Sequence, residues 1–195
     1  MREKIMSVAQ PDKRDQLSTV GGSGLDALMQ RIRPAWQSKG LIERVYRLIP
    51  VDLSSACQRL FNAAIQDLRE KIKIAGSDIA SEVAVLYKLP PVASNENIDD
   101  YSTKNIIDLS YRMGLLSRAE WRRVSRSYEI RRDLEHEDSE YEASPEDGYY
   151  IFSTSIDAVL SKDPVAIIRV PDIKDLIDAL GGVIASKQHS RSAGV

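Results

Sequence analysis

Apolar residues recur along this chain at intervals of three and four, the spacing that lines one face of an α-helix. Leu25, Leu28, Met29, Ile32 and Trp36 form the first stripe, which Pro34 is predicted to bend or end. Leu41, Ile42, Val45, Leu48 and Ile49 mark a short second helix stopping at Pro50. The longest stripe runs Leu53, Cys57, Leu60, Phe61, Ala64, Leu68 and Ile72, with Gly76 as its C-terminal stop. Ile79, Val83 and Leu86 predict a shorter helix closed by Lys88-Leu89-Pro90-Pro91, and the polar residues 93–101 read as a loop.

The second half is punctuated by caps. Ser102 or Thr103 can open a helix bearing Ile106, Leu109, Met113 and Leu116. Ser117-Arg118-Ala119-Glu120 has the form of a capping box, and its helix is predicted to pass Trp121, Val124 and Tyr128 towards His136. Ser144-Pro145-Glu146-Asp147 opens another, with Tyr149, Phe152, Ile156 and Val159 as its core stripe. A last stripe, Ile173, Leu176, Ile177 and Leu180, ends at Gly181-Gly182. Only the segment 165–170 has strand-like composition, and one strand makes no sheet. The expectation is an all-α bundle of about seven or eight helices. It forms a single domain over 24–182, between a flexible lead-in (1–23) and a flexible tail (183–195).

Composition narrows the chemistry. The 195 residues are 43% hydrophobic and 29% charged, as in a globular protein. One cysteine, Cys57, and two histidines, His136 and His189, give neither a disulfide scaffold nor a ligand pair at metal spacing. No metal or cofactor is therefore expected, and the lone cysteine suits a reducing, cytoplasmic setting. No run approaches the ~18 apolar residues of a membrane span. The first seventeen residues lack the apolar core of a signal peptide. Gly21-Gly22-Ser23-Gly24 has no preceding strand and no following Lys-Ser/Thr, so it reads as a linker.

The formal net charge of −2 hides a sharp division. Residues 112–132 hold seven arginines (112, 118, 122, 123, 126, 131 and 132) against Glu120 and Glu129. Residues 133–147 hold eight carboxylates and no lysine or arginine. Such runs form solvated helix faces and acidic loops, or a strip for phosphates beside a segment that repels them. The two blocks meet at His136. His189, with no helical stripe around it, reads as a tail residue.

An arginine and a histidine together suffice, in principle, for RNA cleavage by the neighbouring 2′-hydroxyl. Imidazole titrates near neutrality, so it can take the 2′-OH proton or protonate the leaving oxygen. Guanidinium stays charged and can hold two phosphate oxygens as negative charge builds on phosphorus. RNA supplies the nucleophile, so no metal is needed. The alternative for the same residues is an Arg131–Glu135 pair across one helical turn, with His136 a polar residue near a helix end. Glu135, Glu137 and Asp138 beside the histidine favour imidazolium, which suits a general acid, and they repel RNA unless arginines dominate the cleft.

The stretch 106–138, IIDLSYRMGLLSRAEWRRVSRSYEIRRDLEHED, resembles the central region of HEPN-domain proteins. In that family one helix ends in a Gly-Leu-Leu/Ile-type turn, and a second helix then approaches an Arg-x4–6-His motif. Here Leu109–Leu116 supplies the first helix and turn, Ser117 opens the second, and Arg131 and His136 match the motif with four residues between them. The resemblance implies an all-α fold, a homodimer whose two Arg131/His136 pairs share one cleft, and metal-independent endoribonuclease activity in a toxin, abortive-infection or RNA-processing role. RNA is the implied partner, with a neutralising protein also expected. The family often has a small polar residue after the motif arginine, where this chain has Arg132, and some members have a tyrosine where this chain has Asp138. In a regular helix Arg132 lies about 40° round from His136 and Arg131 about 140°. Helix geometry thus leaves Arg132 as the alternative contact, but the family spacing selects Arg131 for the scissile phosphate, with Arg132, Arg126 and Arg123 as further phosphate contacts.

Two other readings fit the same residues. A non-catalytic HEPN-like module that dimerises or docks a protein accommodates the acidic run. A helix-turn-helix DNA binder would use Leu109–Arg126 with Gly114 at the turn, although Trp121, Val124 and Tyr128 claim one face of its second helix.

Overall fold

The computed structural model describes residues 24–135 and 142–164. Every regular element among them is helical. Helix α1 covers 24–29. It is followed by α2 (Pro34–Gln37), α3 (Gly40–Leu48), α4 (Leu53–Ala75), α5 (Ser77–Leu86) and α6 (Asn95–Asp100). Then come α7 (Thr103–Arg112), α8 (Arg118–Glu135), α9 (Pro145–Ser155) and a π-helical turn (Ile156–Leu160). The all-α bundle is thus as the periodicity predicts. The stripe at 173–180 and the segment 165–170 lie outside the described residues, as do 1–23 and 183–195.

Helix α4 is the axis of the bundle. Its 23 residues contain no glycine or proline, and Asp52 caps it by accepting the Ser55 N–H at 2.9 Å. It is apolar on most of its circumference, burying Ala56, Cys57, Leu60 and Phe61 in its first half and Ile65, Leu68 and Ile72 in its second. A helix of that kind must be surrounded. Helices α3, α5, α6, α7, α8 and α9 and the π turn all pack against it. Fully burying one Leu, Ile or Phe side chain contributes about 1.5–3 kcal/mol, so α4 supplies much of the driving force for the bundle.

A charged group sits inside this apolar packing. The Asp67 carboxylate, with no solvent exposure, accepts from Arg33 through both oxygens, from Trp36 Nε1 at 2.9 Å, and from Lys71 Nζ at 3.1 Å. The same cations close the far end of the chain's π turn. Lys71 Nζ donates to the Val159 carbonyl at 2.7 Å, and Arg33 Nη1 donates to that of Lys162 at 2.7 Å. Helix ends leave carbonyls without partners, and here two buried cations satisfy them.

Three sequence expectations are corrected. Residues 95–100 are not loop but helix α6, opened by a capping box between Ser94 and Asn97 and anchored by buried Ile98. Helix α5, which packs on α4, buries its small residues, Ala80 and Ala84, and leaves Leu86 71% exposed. On α9 the core stripe begins at Gly148 and not at Tyr149, which is 56% exposed. A Cβ on Gly148 would lie 2.9 Å from Leu53 Cδ2, so a larger residue there would require the Leu53 side chain to shift.

Candidate functional site

The segment carrying most of the arginines is built by two cap motifs in succession. Helix α7 starts at Ser102, whose hydroxyl accepts the Asn105 N–H. It ends where Gly114 takes φ +77°, a left-handed conformation that costs a residue with a Cβ about 1–2 kcal/mol. The Gly114 N–H bonds the Tyr111 carbonyl at 3.0 Å and the Leu115 N–H bonds that of Ser110 at 2.9 Å, a Schellman arrangement. Immediately after it, Ser117 and Glu120 exchange reciprocal hydrogen bonds and launch α8. The Gly-Leu-Leu turn read in the sequence is therefore a helix stop followed at once by a helix start.

Helix α8 buries Val124, Ser127 and Ile130. Trp121 stacks on Tyr111 of α7 with centroids 5.2 Å apart, and Tyr128 stacks on Phe61 of α4 at 6.4 Å. These contacts leave Arg118, Arg122, Arg123, Arg126 and Arg132 exposed. Arg131 differs from them. Its side chain is only 16% exposed, and its guanidinium is ion-paired with Glu135, four residues on. Its Nε is buried with no hydrogen-bond partner among the described residues. The last turn is also tied to α4, since Gln58 Nε2 donates to the Leu134 carbonyl at 3.2 Å. His136 and His189 lie outside the described residues.

A cleft of about 560 Å³ opens between α7 and α8. Arg126 and Arg132 line it, joined from α7 by Lys104; Arg123 and Arg131 do not. Its carboxylates are Asp108, Glu129 and Asp133, and its larger apolar surfaces are Ile107, Trp121 and Tyr128. Two of the three carboxylates are already engaged. Asp108 accepts Trp121 Nε1–H at 2.8 Å, and Glu129 pairs with Arg126 at 3.1 Å. Nothing in the sequence marks Lys104 or Asp108, because each meets α8 across the turn and neither carries a motif. Arg131 and Arg132, adjacent in sequence, thus occupy different surroundings at the end of α8: one folded onto Glu135, the other at the cleft.

The one cysteine offers no nucleophile. Cys57 is fully buried, and desolvation, with the charges of Asp147 and Asp52 adding to it, pushes its thiol up to about 12. A thiol so placed is not a thiolate at neutral pH. Among the described residues no group of three or more His, Cys, Asp or Glu side chains could hold a metal ion. No helix among them is long and apolar enough to cross a membrane.

Comparison of the chain with family models, with curated proteins and with solved structures finds no match in any of the three.

Proposed function

We propose that this chain is a metal-independent endoribonuclease of HEPN type, in which Arg131 and His136 from two copies form one composite site. The observation that carries the reading is the arrangement of α7, the Gly114-Leu115-Leu116 turn and α8, which brings Arg131 to the last helical turn before His136. In the reaction, His136 removes the proton from the 2′-hydroxyl or protonates the departing 5′-oxygen, and water makes the complementary transfer. The 2′-oxygen attacks phosphorus, the P–O5′ bond breaks, and a 2′,3′-cyclic phosphate remains. Arg131 neutralises the charge that grows on the phosphate oxygens. Glu135 holds the guanidinium in the resting protein, and a phosphate must compete with it. The reading extends to a toxin, defence or RNA-processing role, with a protein partner that restrains the activity.

The Arg131–Glu135 pair also favours a second reading, a non-catalytic dimerisation or docking module in which this arginine simply secures the end of α8. One experiment separates the two. Purified protein is incubated with mixed RNAs in excess EDTA, beside Arg131→Ala and His136→Ala variants. The nuclease reading expects cleavage with cyclic-phosphate ends, reduced about 100-fold or more in the His136 variant and strongly in the Arg131 variant. Intact RNA under all conditions assigns the chain to the second reading.

A further inference from the structure

The cleft between α7 and α8 has no role in the cleavage chemistry just described, since neither Arg131 nor Glu135 lines it. Its construction is nonetheless specific. The indole of Trp121 is fixed on two sides, by the ring of Tyr111 and by the hydrogen bond from its N–H to Asp108. Tyr128 is likewise held by Phe61. Two aromatic side chains immobilised in this way offer surface for a flat ligand at little conformational cost.

The charges define the rest of the ligand. Glu129 is paired with Arg126 and Asp108 keeps its charge while accepting from Trp121, so Lys104, Arg126 and Arg132 balance Asp108, Glu129 and Asp133 across the cleft as a whole. A single phosphate can be held locally by Lys104, in the first turn of α7, and Arg132, in the last turn of α8, while the balanced total does not favour a dense polyanion. Arg132 offers the planar, multiply donating head that phosphate oxygens favour. The volume, about 560 Å³, lies within the range of small-molecule sites.

We infer that this cleft binds one nucleotide unit, with its base against the Trp121 and Tyr128 side chains and its phosphate on Arg132 and Lys104. The inference deepens the ribonuclease reading: the cleft holds a nucleotide flanking the scissile one, and Arg131 and Arg132 contact neighbouring phosphates of one strand. The shared chemistry is a base joined to a phosphate, whether in a free nucleotide or in single-stranded RNA.

The test uses Trp121 fluorescence. The chain has two tryptophans, and Trp36 is 1% exposed and bonded to Asp67, so a ligand in solution reaches Trp121 alone. The full-length His136→Ala protein is titrated with AMP, adenosine, ribose 5-phosphate and a short oligoadenylate. Working in this variant keeps RNA intact, and makes binding independent of whether the chain is a nuclease. Saturable quenching by AMP is expected, weakened roughly tenfold by Arg132→Ala through loss of a charge-assisted bond. Adenosine binding should be unchanged by that substitution. Tighter binding of oligoadenylate than of AMP identifies RNA as the source of the unit, and equal binding identifies the free nucleotide. Absence of quenching by AMP and by oligoadenylate, or quenching by them that is indifferent to Arg132→Ala, overturns the inference. So does a Trp121 signal that changes only with protein concentration, which would mean that a second copy fills the cleft.

Discussion

Asp67 receives hydrogen bonds from three side chains at once, and its carboxylate has no exposed surface. Its removal strands two buried cations. Asp67→Ala is expected to cost about 3–5 kcal/mol, the range for deleting one member of a buried ionic group, measured by urea unfolding. Lys71→Met should cost less, since Asp67 keeps Arg33 and Trp36. The pH dependence of that second variant has a definite sign. Burial lowers the Lys71 ammonium's pKa below its ordinary 10.5, the attraction of Asp67 notwithstanding. Between the lowered value and 10.5 the unfolded chain holds more protons than the folded one. Wild-type stability relative to Lys71→Met should therefore rise with pH across that window and lie flat below it. A flat difference throughout would show that the amine titrates alike in both states.

Among the elements, two glycines in equally open space make opposite demands. A Cβ at Gly40 or at Gly114 would meet nothing within 4 Å, but only Gly114 has a positive φ. Gly40→Ala in the first turn of α3 should stabilise by about 0.4–1 kcal/mol, through a less flexible unfolded chain. Gly114→Ala should cost about 1–2 kcal/mol, entirely from the left-handed backbone. Equal shifts in the two urea midpoints would refute the assignment. This contrast also marks how much of the fold was legible in the sequence. Stops and starts with a local chemical cause were readable: Gly114, the Ser117–Glu120 box and Ser144 with Pro145 all act within a few residues of themselves. Facing surfaces were not. On α9 it is Gly148, beside Leu53, that is buried, and on α5 Ala80 and Ala84 are buried while Leu86 is exposed. The Asp67–Lys71 pair left a trace, two charges four apart within an apolar run, but its partner Arg33 lies 34 residues away. The candidate site divides in the same way. The spacing around Arg131 could be read along one helix, as could its alternative pairing with Glu135, whereas the cleft needs two helices and a turn.

At the scale of the whole molecule, α4 is shared by nearly every other element, so the described bundle has no obvious seam along which to come apart. Trp36 joins α2 to α4 through Asp67, and its fluorescence in a Trp121→Phe variant should report the same urea midpoint as far-ultraviolet circular dichroism. Separate midpoints would mean that the α2 region opens independently. The charge division also acquires a location. The arginines of the 112–132 block lie on the solvent face of α8, except that Arg131 is folded in and Arg112 rests on the Tyr87 ring, 4.4 Å from its centroid. Near-zero net charge thus coexists with a cationic helix face, on which salt-sensitive contact with an RNA strand would depend.

The π turn at Ile156–Leu160 has a consequence for how this chain can change in length. A π turn is an α-helix carrying one extra residue, and the Ser161 N–H reaches back to the Ile156 carbonyl at 2.9 Å to accommodate it. Deleting one residue there would restore regular helical bonding, and local propensity alone would welcome it. The deletion would also change the path of the backbone through the turn, which the extra residue widens. The carbonyls of Val159 and Lys162 would swing away from Lys71 and Arg33. Local irregularity is thus the condition for two buried cations to find acceptors, and this short segment should tolerate substitutions far better than insertions or deletions.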